Sequence, residues 1–389
     1  MSTMKKSLLA SAIAAASVGS FAHAQDSDFM TAMKDGKTAL NFRFRVEDVS
    51  QDGAEDATAQ TMRIRLNHAT GTYAGFSGFV EFDQVSELIE ADYTDGVTPR
   101  GTAVIADPEN TDWNQGYIQY SDDGLTVKAG RQRILLDNQR FIGGVGWRQN
   151  EQTYDALSVS YAVNGFTITY AHIANVNTIW GTDRDSKDDL LNVKYKLNDA
   201  FSVTGYGYFL SLDDVDDSDN DTIGIAFDGS LSDFTYHAEF ASQETDAYEA
   251  SYLALNGSYK ISNAKLGAGY EVLGADGSNG QFDTPYGTKH AFQGWADKFL
   301  ATPPGGLVDV YLTAGLKAGP VNLTAVYHDF KSDDEDIGTD DLGSEFDFLV
   351  GGKAGPVALT LKYADYRVDN DAAVQTDTQK LWLMAEVTF

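Results

Sequence analysis

The sequence predicts an all-β fold, a transmembrane antiparallel β-barrel of about 18 strands, with about 16 as the alternative count. Three observations predict this class. Segments of about 8–12 residues place apolar and polar side chains on opposite faces of an extended chain. Their connections alternate between tight turns and longer polar loops. After residue 24, no stretch approaches the roughly 20 apolar residues of a membrane helix, and a closed barrel is the only other structure that satisfies its backbone in lipid.

The first residues, Met1–Ala24, have the pattern of a secretory signal peptide. Lys5 and Lys6 supply a positive start, Leu8–Val18 is apolar, and the small residues on either side of His23 form a cleavage site. The apolar run is too short to span a membrane. We therefore exclude this segment from the fold and expect residues 25–389 to form a single barrel domain.

The composition excludes some partners and explains the low hydropathy. The 389 residues carry a net charge of −30, and removal of the signal deletes two lysines and no acid, which gives −32. Such an acidic chain is a poor nucleic-acid partner. It contains no Cys, so disulfides do not stabilise it. The mean hydropathy of −0.30 suits a barrel, in which only every second strand residue has to be apolar.

The predicted strands follow one rhythm along the chain. They are Thr38–Asp48, Thr61–Thr70, Gly75–Val85, Asn114–Ser121, Leu125–Ile134, Tyr154–Tyr161, Phe166–Ala174, Asp189–Leu197, Phe201–Leu212, Asp221–Phe227, Phe234–Gln243, Glu249–Tyr259, Ala264–Leu273, Leu307–Lys317, Val321–Lys331, Glu345–Gly352, Val357–Tyr366 and Gln379–Phe389. Gly, Asn, Asp and Pro form tight turns between every second pair, for example at Asn164-Gly165. The intervening connections, such as Leu135–Thr153 and Gly274–Gly306, are longer and polar. We expect the tight turns, and both chain ends, at the periplasmic side.

The two faces of the strands differ in a way that predicts a wet interior. In the first strand Phe42 and Phe44 alternate with Arg43 and Arg45, and later strands repeat this pattern. A soluble barrel of this size would pack an apolar interior, whereas here the apolar face suits lipid. The last strand ends on Phe389 and resembles the assembly signal of outer-membrane barrels. We therefore expect outer-membrane lipid, lipopolysaccharide and the barrel-assembly machinery of a Gram-negative bacterium as partners.

The acidic residues are concentrated in the long loops, notably Asp213–Asp221 and Asp333–Asp341. Hard divalent cations bind several carboxylate oxygens, so these loops leave a weak possibility of cation binding, directly or through lipopolysaccharide phosphates. The alternative is a solvated loop that is acidic for solubility. The Gly and closing Glu of a calcium loop are missing, so we predict no cofactor and no specific metal site.

The basic residues are distributed differently and are the candidate pore-lining set. Arg43, Arg45, Arg63 and Arg65 form a two-strand cluster on the inward face, and Lys128, Lys194 and Lys362 also face inward by parity. Arg131 and Arg133 are out of step with this parity unless Gly130 marks a bulge. Arg140 and Arg148 lie in a loop that could fold inward. A ring of cations in a narrow channel favours anions. The alternative is that Arg43, Arg45, Arg63 and Arg65 form a structural network. Its acids would be Glu47, Glu81 and Glu386.

Two stretches resemble the alginate-export family of outer-membrane porins. They are Gly130–Asp155, GRQRILLDNQRFIGGVGWRQNEQTYD, and Thr284–Asp309, TPYGTKHAFQGWADKFLATPPGGLVD. The resemblance implies an 18-stranded barrel with an electropositive conduit for an anionic polysaccharide such as alginate. The matched motifs carry over four candidate conduit residues, namely Arg131, Arg140, Arg148 and Lys298. The chain is short for the export branch, and its loops are modest.

The predicted function is a passive outer-membrane channel for anionic or carbohydrate solutes, small or polymeric. The alternatives are a dedicated exporter of a polysaccharide such as alginate, or a surface barrel enzyme or adhesin. An enzyme is not predicted because the histidines are scattered outside any recognised nucleophile motif. The nearest acid/base pair is His237 with Glu239 on one strand, which lumen hydrogen bonding explains as well.

Overall fold

The structure, a computed structural model, describes residues 26–89, 93–212, 219–337, 339–369 and 375–389. The predicted signal peptide, Met1–Ala24, lies outside the described residues. A short helix, α1 (Asp26–Lys34), precedes the first strand and accepts a hydrogen bond at Ala32 O from the Gly71 backbone N–H, at 2.9 Å. Among the described residues, no helix is long and apolar enough to cross a membrane.

Eighteen antiparallel strands form one closed sheet. They are β1 (Lys37–Gln51), β2 (Ala57–Ala69), β3 (Phe76–Glu87), β4 (Asn110–Asp122), β5 (Leu125–Gln132), β6 (Thr153–Val163), β7 (Phe166–Asn177), β8 (Asp183–Asn198), β9 (Phe201–Leu210), β10 (Asn220–Leu231), β11 (Phe234–Thr245), β12 (Glu249–Ile261), β13 (Ala264–Leu273), β14 (Leu307–Ala318), β15 (Val321–Lys331), β16 (Asp341–Ala354), β17 (Val357–Arg367) and β18 (Thr378–Thr388). Each strand pairs with its chain neighbour, and β18 pairs with β1. The prediction of 18 strands is confirmed, and the alternative of 16 is wrong.

The strands extend further than predicted at the end where the long connections lie, called here the long-loop end. β2 begins at Ala57 instead of Thr61, and β8 begins at Asp183 instead of Asp189. The polar residues added there still pair with neighbouring strands, although their side chains lack the apolar alternation that marks a lipid-facing segment. The prediction missed them because it depended on that alternation.

The opposite, short-turn end consists mainly of two-residue connections. At Asn164-Gly165 both residues have positive φ, 49° and 86°. This backbone matches the right-handed twist of the flanking strands, and Asn and Gly adopt it most readily. The alternation of side chains along β1 and β2 also agrees with the prediction. Arg45 and Arg63 are buried on the inner face, whereas Ile64 and Leu66 are exposed on the outer face.

Three long connections fold into the barrel from the long-loop end. We call them loop A (residues 88–89 and 93–109), loop B (residues 133–152) and loop C (residues 274–306). Loop A packs Tyr93 and Ile105 against inward-facing residues of β1 and β2. Phe141 of loop B contacts the rings of Tyr206 and Tyr252, and Phe299 of loop C packs on the ring of Phe330 on β15, at 4.5 Å. The interior of the long-loop half is therefore packed, not empty.

Loops B and C are joined to each other by backbone hydrogen bonds. Ile142 and Tyr286 form a parallel bridge, the Gly143 N–H donates to Tyr286 O, and the Thr288 N–H donates to Gln139 O, both at 2.9 Å. Two segments far apart in the chain thus form one inserted unit. Its contacts with the inner wall define the channel lining.

Candidate channel lining

The arginines of β1 and β2 meet carboxylates that loops A and B bring into the barrel. Arg45 Nη1 lies 2.9 Å from Asp107 Oδ2 of loop A, and both side chains are almost fully buried. Arg65 contacts Asp83 on β3 at 2.6 Å and Glu151 of loop B at 2.7 Å. These carboxylates neutralise the charges of the two arginines. They hold the loops to the wall and do not present free charge to a solute.

The other two members of the cluster share an acid on β18. Arg43 Nε lies 3.2 Å from Glu386 Oε2, and Arg63 Nη2 lies 3.5 Å from Glu386 Oε1. Arg63 is buried, whereas the side chains of Arg43 and Glu386 are 13% and 27% exposed. Arg43 also donates to the Gly146 carbonyl of loop B, at 3.1 Å. Arg43 is therefore the member of this cluster whose side chain reaches the part of the lumen that the loops leave open.

Loop B contributes Glu151, an acid that two arginines contact. Glu151 contacts Arg65 and also Arg133, whose Nε lies 2.5 Å from Glu151 Oε2. Burial alone would raise the pKa of Glu151, but these two arginines lower it to about 2. Glu151 is therefore ionised at every ordinary pH. Arg133 makes a second contact, at 2.6 Å, with Glu81 on β3.

Arg140 and Arg148, predicted from the family resemblance, both fold inward and are buried. Arg140 Nε lies 2.7 Å from Glu271 Oε1 on β13. Arg148 contacts Glu47 on β1 at 2.8 Å and Asp297 of loop C at 3.0 Å. Each thus connects a loop to the wall or to another loop. These are structural contacts, although among the acids only Glu47 belongs to the network that the sequence left open as an alternative.

Lys362 on β17 sits in a cage of aromatic rings. Its Nζ lies 3.9 Å from the ring centre of Trp295 and 4.3 Å from that of Trp147, and it donates to His290 Nε2 at 2.6 Å. Burial lowers the pKa of His290 to about 3, so the ring is neutral, and its Nδ1 donates to Asp297. Lys362 therefore fastens loops B and C to β17.

Lys298 of loop C, the fourth residue carried over from the resemblance, contacts hydroxyls instead of acids. Its Nζ donates to Thr378 Oγ1 at 2.9 Å. Burial lowers the pKa of Lys298 to about 8. Lys380 on β18, which the sequence did not single out, contacts Asp297 at 2.8 Å.

Arg131 and Arg133 have different positions, although they are two residues apart. The register of β5 is continuous with both of its neighbours, so Gly130 does not mark a bulge. Arg131 therefore stays on the outer face with Val127 and contacts Asp155 at 2.8 Å, which corrects its assignment to the conduit. Arg133 enters the lumen because β5 ends at Gln132 and the chain turns inward.

Lys128 on β5 and Lys194 on β8 differ from all of these residues. Both are half-buried on the inner face, and within the described chain neither makes an ion pair. Lys128 Nζ lies 4.9 Å from the ring centre of Tyr117, and Lys194 stands between the threonines Thr167 and Thr204 of the adjacent strands. Lys128 thus carries its charge without a direct acid partner, whereas the carboxylates of Asp137 and Asp228 attract Lys194 at longer range.

The sequence did not predict the loop acids and only partly predicted the acids of the wall. Asp107, Glu151 and Asp297 had no signal, because nothing in the alternation of strands indicates which loop residue returns to the lumen. The inner face of β11–β16 carries buried carboxylates, namely Glu239, Glu271, Asp309, Glu345 and Asp347. Strand parity indicates all five, since each falls on the polar face of its strand, and it had already placed Glu239 and Glu271 there.

The acidic loops give no metal centre in the part of the chain that is described. No three His, Asp or Glu side chains there are gathered so that they could hold a metal ion. Of the predicted segment Asp213–Asp221, residues 213–218 lie outside the described chain. In Asp333–Asp341, the Asp333 carboxylate accepts a hydrogen bond from the Ala275 N–H at 3.1 Å, so it ties this loop to loop C.

A closed 18-stranded barrel with an apolar outer face and loops folded into a charged lumen has the architecture of an outer-membrane channel. Residues 37–355 match the alginate export family, so the chain belongs to that family. Family and fold together identify it as a channel of the Gram-negative outer membrane.

Solved structures with this fold are outer-membrane proteins of low sequence identity. OpdK of Pseudomonas aeruginosa, crystallised with vanillate, is 13% identical with a TM-score of 0.71, covering 92% of this chain and 99% of OpdK. OccK9 (OpdG) of the same organism is 16% identical with a TM-score of 0.70, covering 92% and 100%. Acinetobacter baumannii OccAB2 is 14% identical with a TM-score of 0.71, covering 92% and 98%. No curated protein sequence matches the chain.

Proposed function

We propose that the protein is a passive diffusion channel for anionic or carbohydrate solutes. The observation that carries this proposal is the pair of inward ammonium groups of Lys128 and Lys194, neither of which makes a direct ion pair in the described chain. Many of the inward acids described above contact arginines or histidines, which offset their charge, and others accept hydrogen bonds from hydroxyls or backbone amides. Surplus positive charge in a narrow, partly desolvated passage attracts anions and repels cations.

The hydroxyl and amide side chains near these lysines suit carbohydrate solutes. Gln119 stands opposite Lys128 on β4, and Ser158 stands opposite it on β6. Such groups can exchange hydrogen bonds with a sugar as it replaces water. A passive channel sets no direction of transport, because flux follows the gradient. The same lining therefore serves uptake or export, including export of an anionic polysaccharide.

The test is ion selectivity in planar bilayers. We expect wild-type channels in a KCl gradient to give a reversal potential that indicates anion preference, because chloride is attracted to the two ammonium groups. The double variant K128Q/K194Q should lose most of that preference while its conductance steps persist. K331Q is the matched control, because Lys331 is exposed on the outer face at the end of β15. An unchanged reversal potential in the double variant would refute this role.

We also propose that the protein has no enzymatic activity. His237 lies between Asp228 and Glu239, at 2.8 and 3.2 Å, and His328 contacts Asp309 at 2.9 Å. These contacts are those of lumen hydrogen-bond networks. In the described chain, neither histidine has a Ser, Thr or Lys nucleophile among its hydrogen-bond partners. Hydrolysis of ester or peptide substrates by the purified protein would contradict this view.

A further inference from the structure

The short helix α1 presents an apolar side that the described residues leave largely exposed. Phe29, Ala32 and Met33 are spaced three and four residues apart, so they lie on one side of the helix, and Met30 borders them. Ala32 is buried, whereas Phe29, Met30 and Met33 are 49%, 53% and 42% exposed. Contiguous apolar side chains of this size mark a surface that meets a partner or a membrane.

Two contacts hold α1 at the short-turn end, beside the turn that joins β2 to β3. The Gly71 N–H donates to Ala32 O at 2.9 Å, and the rings of Phe29 and Tyr73 meet edge to face with their centres 5.6 Å apart. A Cβ at Gly71 would lie 2.6 Å from Ala32 O, so glycine allows the helix to approach this closely. The helix is therefore docked on the barrel in a defined orientation.

Tyr73 shows which face of the barrel wall the helix meets. Tyr73 and Phe76 exchange two backbone hydrogen bonds, at 2.8 and 2.9 Å, so their side chains lie on the same face of the sheet. Phe76 is exposed on the outer face, and its ring packs on that of Tyr120 at 4.9 Å. The stacked rings of Phe166 and Tyr195 lie on the same face and at the same end of the barrel. Outward aromatic rings near strand ends mark the membrane interface. Phe29 therefore adjoins the lipid-facing surface of the barrel.

We propose that α1 is an interfacial helix that binds the phospholipid leaflet at the short-turn end, with Phe29, Met30 and Met33 in contact with lipid. Lipid is the occupant because the apolar side of α1 is continuous, through Tyr73, with the outer face of the barrel. By the same helical spacing, Asp28 and Lys34 lie on the opposite side, and both are exposed. A polar side toward water and an apolar side toward lipid are what an interfacial helix requires. This inference does not depend on which solute the channel passes.

The experiment measures the depth of individual α1 positions in a bilayer. The chain contains no Cys, so one introduced Cys gives one labelled position. Met33→Cys carries a nitroxide on the apolar side, and Asp28→Cys carries one on the polar side. The protein is reconstituted into vesicles of phosphatidylethanolamine and phosphatidylglycerol. Electron paramagnetic resonance then measures how often each nitroxide collides with oxygen, which concentrates in lipid, and with a water-soluble nickel chelate. We expect position 33 to lie about 5–10 Å below the headgroup boundary and position 28 to lie above it.

Variants separate insertion into lipid from attachment to the barrel. Met30→Glu keeps the contact of Phe29 with Tyr73 but places a charge on the apolar side, so it should move position 33 by more than about 5 Å toward water. Lys34→Glu introduces the same side chain on the polar side and should leave the depth of position 33 unchanged. Leu361→Cys, on the outer face of β17, gives the collision rates of a position in lipid. Heat-modifiable migration on gels checks that each variant forms a folded barrel.

Three results would overturn the inference. If position 33 met the nickel chelate as often as position 28 does, the apolar side of α1 would face water. If position 33 were protected from both oxygen and the chelate, protein would cover this side, as in contact with a second copy of the chain. If Met30→Glu left the depth of position 33 unchanged, contact with lipid would not be what holds the apolar side in place.

Discussion

Two walls of the same lumen carry inward cations, but in opposite electrostatic states. On β1 and β2, Arg45 and Arg65 are buried and contact the acids Asp107 and Glu151 that loops A and B deliver. On β5 and β8, Lys128 and Lys194 make no direct ion pair in the described chain, although Asp137 and Asp228 attract Lys194 at longer range. The difference arises from where the loops fold. A charged side chain on the polar face of a strand thus has one of two roles. It forms a structural ion pair where a loop packs against it, and it stays available to a solute where no loop does.

The comparison also explains why charge reversal of the arginine cluster is a poor test of selectivity. A buried cation that loses its charge leaves its acids desolvated and unpaired, which costs far more than a surface charge does. Substitutions on β1 and β2 should therefore act through folding. Substitutions of Lys128 and Lys194 should act through ion flow. The predictions below test this division, beginning with the largest expected effect.

Removing Arg65 should destabilise the barrel strongly. Arg65→Ala removes the cation closest to Asp83 and one of the two arginines that contact Glu151 most closely, and we expect a loss of about 3–5 kcal/mol in the free energy of unfolding. The matched substitution is Lys194→Ala, also on the inner face, which should change that free energy by less than about 0.5 kcal/mol. Urea titrations in detergent micelles measure both. Equal losses in the free energy of unfolding would show that Arg65 and Lys194 are not in different electrostatic states.

The outward face of the same barrel gives the next test. Leu361 is exposed on the outer face of β17, and Thr360 faces the lumen. Leu361→Arg places a charge in lipid and should cost about 2–4 kcal/mol if the site lies near the bilayer midplane. Thr360→Arg should cost under about 1 kcal/mol, because its side chain reaches water. The measurement is folding efficiency and unfolding free energy in lipid vesicles. If Thr360→Arg cost more free energy than Leu361→Arg, the assignment of the inner and outer faces of the strands would be wrong.

Low pH should weaken the ion pairs between Glu151 and the arginines that contact it. Its pKa is about 2 in the folded chain against an ordinary 4.5, so the folded state favours the ionised form. The stabilisation is complete above about pH 4.5 and is lost as the pH falls toward 2, and it amounts to about 3 kcal/mol. The variant Glu151→Gln lacks the ionisable carboxyl group. The stability difference between wild type and variant should therefore shrink over that window, and a constant difference would argue against the ion pairs.

The sequence predicted the barrel well because the outer face and the inner face have different solvents. Phe42, Phe44 and Ile64 face lipid and Arg43 faces water, so the alternation of side chains follows directly from the environment. That signal fails at the long-loop end, where both faces of a strand are wet. This is why β8 extends six residues further than predicted, beginning at Asp183 instead of Asp189.

The site was only partly predictable, for a physical reason. Parity identified the inward position of Lys128 and Lys194, but it gave no information about partners. Arg45 contacts Asp107, 62 residues away, and Arg148 contacts Asp297, 149 residues away. Such contacts depend on how loops fold back through the lumen, and no local pattern encodes that path. The outward position of Arg131 follows from parity, because Gly130 marks no bulge, and it was the family resemblance that suggested a conduit role.

The backbone bridge between Ile142 and Tyr286 has a consequence for how the width of this channel can change. Because loops B and C share hydrogen bonds, shortening one of them removes support from the other. A wider passage therefore requires matched alterations at two distant places in the gene, and a lone deletion would leave a frayed remnant in the opening. Diversification of pore size in such a barrel should proceed by paired changes.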